Sequence, residues 1–144
     1  MKRMIIAAAV LTLGVTAGIA QGDPIAARKA MMKEVGGAMG PMAAMNKGER
    51  PFDLATAKAS LGTMNKASKA FGPLFPATAK SGGESTADEK IWSDAAGWNA
   101  ALKKFETDTA AAVAAVKDEA SFKAEFGKVA ANCGGCHNTY RIKK

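Results

Sequence analysis

The chain has 144 residues, with 20 Lys and Arg against 13 Asp and Glu, a net charge of +7, two Cys and one His. That length suits one domain with one hydrophobic core. The charge is modest and scattered and aromatics make up only 6% of the chain, which excludes the dense basic, stacking surface of a nucleic-acid binder and leaves solvation and mild steering toward acidic partners.

Residues 1–20 read as a secretory signal. Lys2 and Arg3 form its charged start, Met4 to Ala17 its apolar centre, and Gly18-Ile19-Ala20 its small-x-small cleavage site. An uncleaved anchor is the competing reading, but Gly14, Gly18 and the threonines weaken a span already at the short limit for a bilayer helix. Cleavage leaves a domain of residues 21–144 with no stable membrane insertion, and losing Lys2 and Arg3 takes the net charge from +7 to about +5.

Strand signals are scarce and helix formers dominate, so the domain is expected to be all-α. Asp23 followed by Pro24 opens a first helix running to about Lys47, with Ile25, Met32, Val35, Met39 and Met42 at helical spacing. Pro41 predicts a kink or tightening near Gly40, and Gly48 ends the helix. Asp53 caps a second helix to Phe71, stopped by Gly72-Pro73. A loop covers 74–85, and Ser85 or Thr86 starts a third helix carrying Ile91, Trp92, Trp98, Leu102, Phe105, Thr109 and Val113. Asp118 or Ser121 starts the fourth, where Phe122, Phe126, Val129, Cys133, His137 and Tyr140 share a face. Short joints predict an antiparallel up-down-up-down four-helix bundle.

The chemistry concentrates at Cys133, Cys136 and His137, a C-x-x-C-H run that uses every Cys and His in the chain. This pattern is the signature of covalent c-type haem attachment. At about 100° per residue the three side chains fall on one side of a helix, so one turn supplies two thiols for the porphyrin vinyls and an imidazole for the iron. A redox dithiol would need a strand-then-helix setting that is missing here. A structural zinc site needs four ligands and finds no further Cys or His. A Cys133–Cys136 disulfide remains as a state before haem attachment. Gly134 and Gly135 each weaken the turn by about 1 kcal/mol relative to alanine, which predicts that haem fixes it and that the absent side chains leave room at the porphyrin edge.

With Tyr140-Arg141 following the motif on the last helix of a bundle behind a leader, the chain resembles class II c-type cytochromes, the cytochrome c′ and cytochrome c-556 family. Met31-Met32-Lys33-Glu34, Lys47-Gly48-Glu49-Arg50-Pro51-Phe52-Asp53 and Ile91-Trp92 carry the likeness further, toward the methionine-ligated c-556 branch. The resemblance implies one haem c per chain, thioethers at Cys133 and Cys136, and His137 as proximal iron ligand. Met32 takes the matching position for the distal ligand, with Met31 as rival, turned about 100° away on the helix. Arg28 and Arg141 are candidate neighbours of the haem, Arg141 near its proximal face; a solvated terminal arginine is the plainer account of Arg141. Any of the methionines can instead be core filling. The Met39, Met42, Met45 pattern suggests packing more than soft copper binding.

The implied function is a periplasmic low-spin electron carrier with His/Met ligation, docking transiently on redox partner proteins as a monomer or homodimer. The alternative is a five-coordinate cytochrome c′ that binds nitric oxide or carbon monoxide. A peroxidase-type enzyme is disfavoured because His137 is the sole histidine and no distal acid/base is evident.

Overall fold

A computed structural model describes residues 22–80, 82 and 84–143. The expected leader and its cleavage site lie outside the described residues. Among the described residues five α-helices follow one another: α1 (Pro24–Lys47), α2 (Leu54–Phe71), the single turn α3 (Lys90–Ser93), α4 (Ala95–Ala115) and α5 (Glu119–Tyr140).

Local chemistry sets most of these boundaries. Asp23 Oδ1 accepts the Ile25 N–H at 2.9 Å and Pro24 occupies the first helical position of α1. At the other end Gly48 turns left-handed at φ 75°, its N–H bonding to Met45 and that of Glu49 to Ala44, a Schellman closure. The helix runs through Pro41 without interruption. Asp53 caps α2 through the Thr56 N–H at 2.7 Å, and Asp118 and Ser121 form a reciprocal capping box on α5.

The second helix ends at Phe71 as expected, and the differences from the sequence reading lie in the third helix, at its start and at a break within it. Beyond α2 the chain tightens into a 3₁₀ turn over Gly72–Leu74 before it turns away, and a second covers Ala77–Ala79. The third helix does not begin at Ser85 or Thr86. Residues 86–88 are held out of the helix because Ala87 pairs with Arg141 in an antiparallel bridge, with Asp88 N–H on the Tyr140 carbonyl and Ile142 N–H on that of Thr86. The helix then breaks at Asp94, whose carboxylate caps α4 by accepting the Gly97 N–H at 3.1 Å.

The four long helices form the expected bundle, α1 against α2, α2 against α4 and α4 against α5, whereas α1 and α5 meet only briefly. Val35, Met42, Met45, Leu61, Met64, Ala112, Val116, Phe122 and Val129 make the main core. Burial of each large apolar side chain contributes about 1.5–3 kcal/mol. A second cluster of Ile91, Trp98 and Tyr140, with Phe71, Phe75 and Trp92 against it, stands at the end where the tail meets the loop.

Candidate haem site

Where α1 and α5 part, a cavity of about 560 Å³ opens between α1, α4, α5 and the loop before α3. Cys133, Cys136 and His137 line it from α5, Met32 and Met39 from α1, and Trp98, Leu102 and Phe105 from α4. Helical spacing puts the three motif residues on one face, and the α4–α5 packing turns that face to the cavity, with Cys133 and Cys136 half-buried and His137 exposed. Asn132, next to Cys133, donates to Asp108 Oδ2 on α4 at 2.7 Å and fixes the register of this turn.

Both cysteines are free thiols. Burial pushes each thiol above its ordinary value, with Cys133 adding to the rise at Cys136. They stand in the last turns of a helix, the reverse of the helix-opening position that activates a redox dithiol. Burial first, and then the Arg141 guanidinium, push the His137 imidazole below its ordinary value. Its neutral ring is the form a metal takes. A Cβ at Gly135 would meet nothing within 4 Å, and one at Gly134 only the Asn138 amide at 4.0 Å. No contact within the protein demands glycine there.

Arg28 is the site's unusual residue. It is 5% exposed, donates from Nε to the Leu74 carbonyl and from Nη2 to the Ala79 carbonyl, each at 2.6 Å, and lies 4.2 Å from the Phe75 ring centroid. Its Nη1 is buried without a hydrogen-bond partner among the described residues, although the side chain lines the cavity. Burial lowers its pKa, Asp23 opposes the fall, and a guanidinium keeps its proton. A buried cation with a spare donor suits an anionic group in the cavity. Apolar walls, two free thiols, a neutral imidazole and this donor together fit a haem with its propionates.

The remaining sequence candidates separate cleanly. Met32 lines the cavity, whereas Met31 lines a small hollow between α1 and α2 with Glu34, Thr63 and Lys66. Met42 and Met45 are core residues, and Met45 Sδ accepts the Asp53 N–H at 3.3 Å. Arg141 is exposed at the cavity rim with its Nε 3.4 Å from Thr86 Oγ1. Sequence reasoning missed the Tyr140–Asp94 hydrogen bond at 3.0 Å and the Trp92 Nε1 bond to the Phe75 carbonyl at 2.9 Å. Partners 46 and 17 residues apart leave no periodic trace.

A helical bundle with C-x-x-C-H on its last helix, turned into an apolar cavity, defines a class II c-type cytochrome. A family profile described as Cytochrome C′ matches residues 23–141, and the chain belongs to that family. Its cofactor is haem c. Cytochrome c′ of Rhodopseudomonas palustris is 44% identical over 137 residues, covering 95% of this chain and 94% of that protein. Cytochrome c-556 of Agrobacterium tumefaciens (strain B2A) is 42% identical over 118 residues, covering 81% of this chain and 95% of that protein. The solved structure of the R. palustris cytochrome c′ superposes with TM-score 0.82 at 45% identity over 86% of this chain and 99% of that one. Oxidized R. palustris cytochrome c556 superposes at 0.77 with 28% identity, over 86% and 99%. Overall identity does not divide the two branches. Among the described residues no helix is long and apolar enough to cross a membrane.

Proposed function

We propose that the protein is a periplasmic one-electron carrier that holds its haem by Cys133 and Cys136 and ligates the iron with His137 and Met32. Bound there, the haem supplies a ferric/ferrous couple. The observation that carries the His/Met reading is the placement of Met32 on the cavity that His137 also lines. Met39 lines it too, but α1 and α5 run in opposite directions. The turn carrying Met32 therefore stands nearer the C-terminal turn of α5 than Met39, two turns further along α1. Arg28 Nη1 would receive a propionate, Arg141 would stand at the rim, and Trp98, Leu102 and Phe105 would exclude water.

His137 and Met32, each fixed on a packed helix, would keep the iron's ligands unchanged between oxidation states, so transfer would carry little reorganisation. A thioether and apolar walls both favour the reduced state. Partners would dock weakly, with the excess positive charge acting on encounter rate.

The test is optical. The ferric protein is expected to be low-spin with a methionine charge-transfer band, and the ferrous protein inert to carbon monoxide. Met32→Ala is expected to make it high-spin and ready to bind carbon monoxide, with Met31→Ala unchanged. The second reading, a five-coordinate site that takes nitric oxide or carbon monoxide, draws on the 44% identity to a cytochrome c′. A high-spin, carbon monoxide-binding parent protein would establish it and overturn the first.

A further inference from the structure

Five of the chain's aromatic residues gather on one side of the cavity, and only one of them carries an acid–base partner. Tyr140, 7% exposed, donates its phenolic O–H to Asp94 Oδ2 at 3.0 Å. Its ring stands edge-on to Trp98 with centroids 5.3 Å apart, Trp98 lies 4.8 Å from Phe75, and Phe75 lies 6.1 Å from the half-buried Trp92. The carboxylate is locked for this role. Asp94 Oδ1 is spent on the cap of α4, which leaves Oδ2 to the phenol. A Cβ at residue 97 would run into both Asp94 Oδ2 and the Tyr140 hydroxyl, so glycine is required for the pair to close.

We propose that Tyr140 is a redox-active tyrosine, oxidised by one electron with transfer of its phenolic proton to Asp94. A neutral phenol loses an electron far more readily when the proton can leave at the same time, and here the base is already hydrogen-bonded. With an oxidant of the peroxyl-radical class the step balances. The Tyr140 ring gives one electron, its O–H bond breaks, a new O–H bond forms on Asp94 Oδ2, and the peroxyl radical becomes a peroxide anion that takes a proton from water. Asp94 is exposed, so its proton can pass on to solvent.

The charges around the cluster place the electron hole on Tyr140 and not on the outer tryptophan. The Arg28 guanidinium lies 4.2 Å from the Phe75 centroid and 5.8 Å from that of Trp92, and the Lys80 ammonium 5.5 Å from Trp92. A cation over a ring attracts its π-electrons and opposes their loss. Trp92 and Trp98 then serve as a contact path from the surface, and Tyr140 as the place where oxidation comes to rest. This activity protects the motif-bearing end of α5 from stray one-electron oxidants and does not depend on which side chain ligates the iron.

The experiment uses the ferric holoprotein, with photogenerated tris(bipyridine)ruthenium(III) as oxidant and freeze-quench electron paramagnetic resonance as readout. The chain has one tyrosine, so a tyrosyl signal has a single source. A tyrosyl radical is expected in the parent protein and none in Tyr140→Phe. In Asp94→Asn, which keeps the shape and an acceptor oxygen but loses the base, the radical is expected to form at least about tenfold more slowly, an added barrier of about 1.4 kcal/mol. A tryptophanyl signal in the parent overturns the proposal, as does an Asp94→Asn variant that forms the tyrosyl radical at the parent rate. If Tyr140→Phe fails to fold, the Asp94→Asn rate decides alone.

Discussion

Arg28 on α1 and Ala79 in the loop before α3 lie 51 residues apart and are joined by a 2.6 Å hydrogen bond from Nη2 to the carbonyl. With the parallel bond to Leu74, one side chain pins both 3₁₀ turns against the cavity. Arg28→Ala removes two bonds from a charged donor and leaves two half-buried carbonyls bare. Haem-free protein is expected to lose about 2 kcal/mol in urea denaturation, with faster amide exchange over residues 75–80.

Phe122 is the largest fully buried side chain, packed between Phe52 and Phe126 at 5.5 and 5.6 Å. Phe122→Ala deletes a ring far from the cavity. It is expected to cost about 3–5 kcal/mol by denaturant titration while leaving the haem spectrum of the folded fraction unchanged.

Gly97→Ala tests the close approach of Asp94 and Tyr140. The added methyl must push the two apart, an overpacking cost of about 1–3 kcal/mol. Thermal melts would register it, with near-ultraviolet circular dichroism changing because Trp98 and Tyr140 meet edge-on there.

Gly134→Ala and Gly135→Ala separate two roles of one turn. No protein atom obstructs a Cβ at Gly135 and only the Asn138 amide approaches one at Gly134, so each substitution is expected to stabilise haem-free α5 by about 1 kcal/mol. Covalent haem yield after export is expected to fall. Urea denaturation of haem-free protein and mass spectrometry of exported protein check the two halves separately.

Acid is expected to destabilise the haem-free bundle through its helix caps. Hydrogen bonds from the Ser121 side chain and backbone hold Asp118 below the ordinary carboxylate value, and Thr56 does the same for Asp53. At Asp108 burial works upward, but the bonds from Lys104 and Asn132 prevail. A carboxyl depressed in the folded state stabilises fully above its unfolded pKa, about 3.9, and the gain is lost as pH falls through the lower folded value. The carboxylate share of stability is expected to hold from neutrality to about pH 5 and then decline, while His137, held below its ordinary value by burial, begins to cost stability as pH falls through the unfolded value of about 6.5. Asp118→Asn, measured by denaturation between pH 2 and 6, is expected to flatten part of that slope.

Features decided within a few residues were legible in the sequence. Asp23, Gly48, Asp53 and Asp118 act on N–H or carbonyl groups of their own helix ends, and the C-x-x-C-H run needs only one turn of α5. The start of α3 was not legible, because residues 86–88 are claimed by backbone groups at 140–142. The break at Asp94 carries a local cap signal, but an unbroken apolar stripe from Ile91 to Trp98 outweighed it. Met31 and Met32 differ by one step of a helix wheel, and only the packing of α2 against one side of α1 sends them to different hollows.

The brief meeting of α1 with α5 leaves the bundle with three long protein seams and one short one. The short seam joins the two long helices farthest apart in the sequence. A prosthetic group held there would act as a keystone, bridging the two long helices that polypeptide contacts join least, so its largest mechanical effect would fall on their separation.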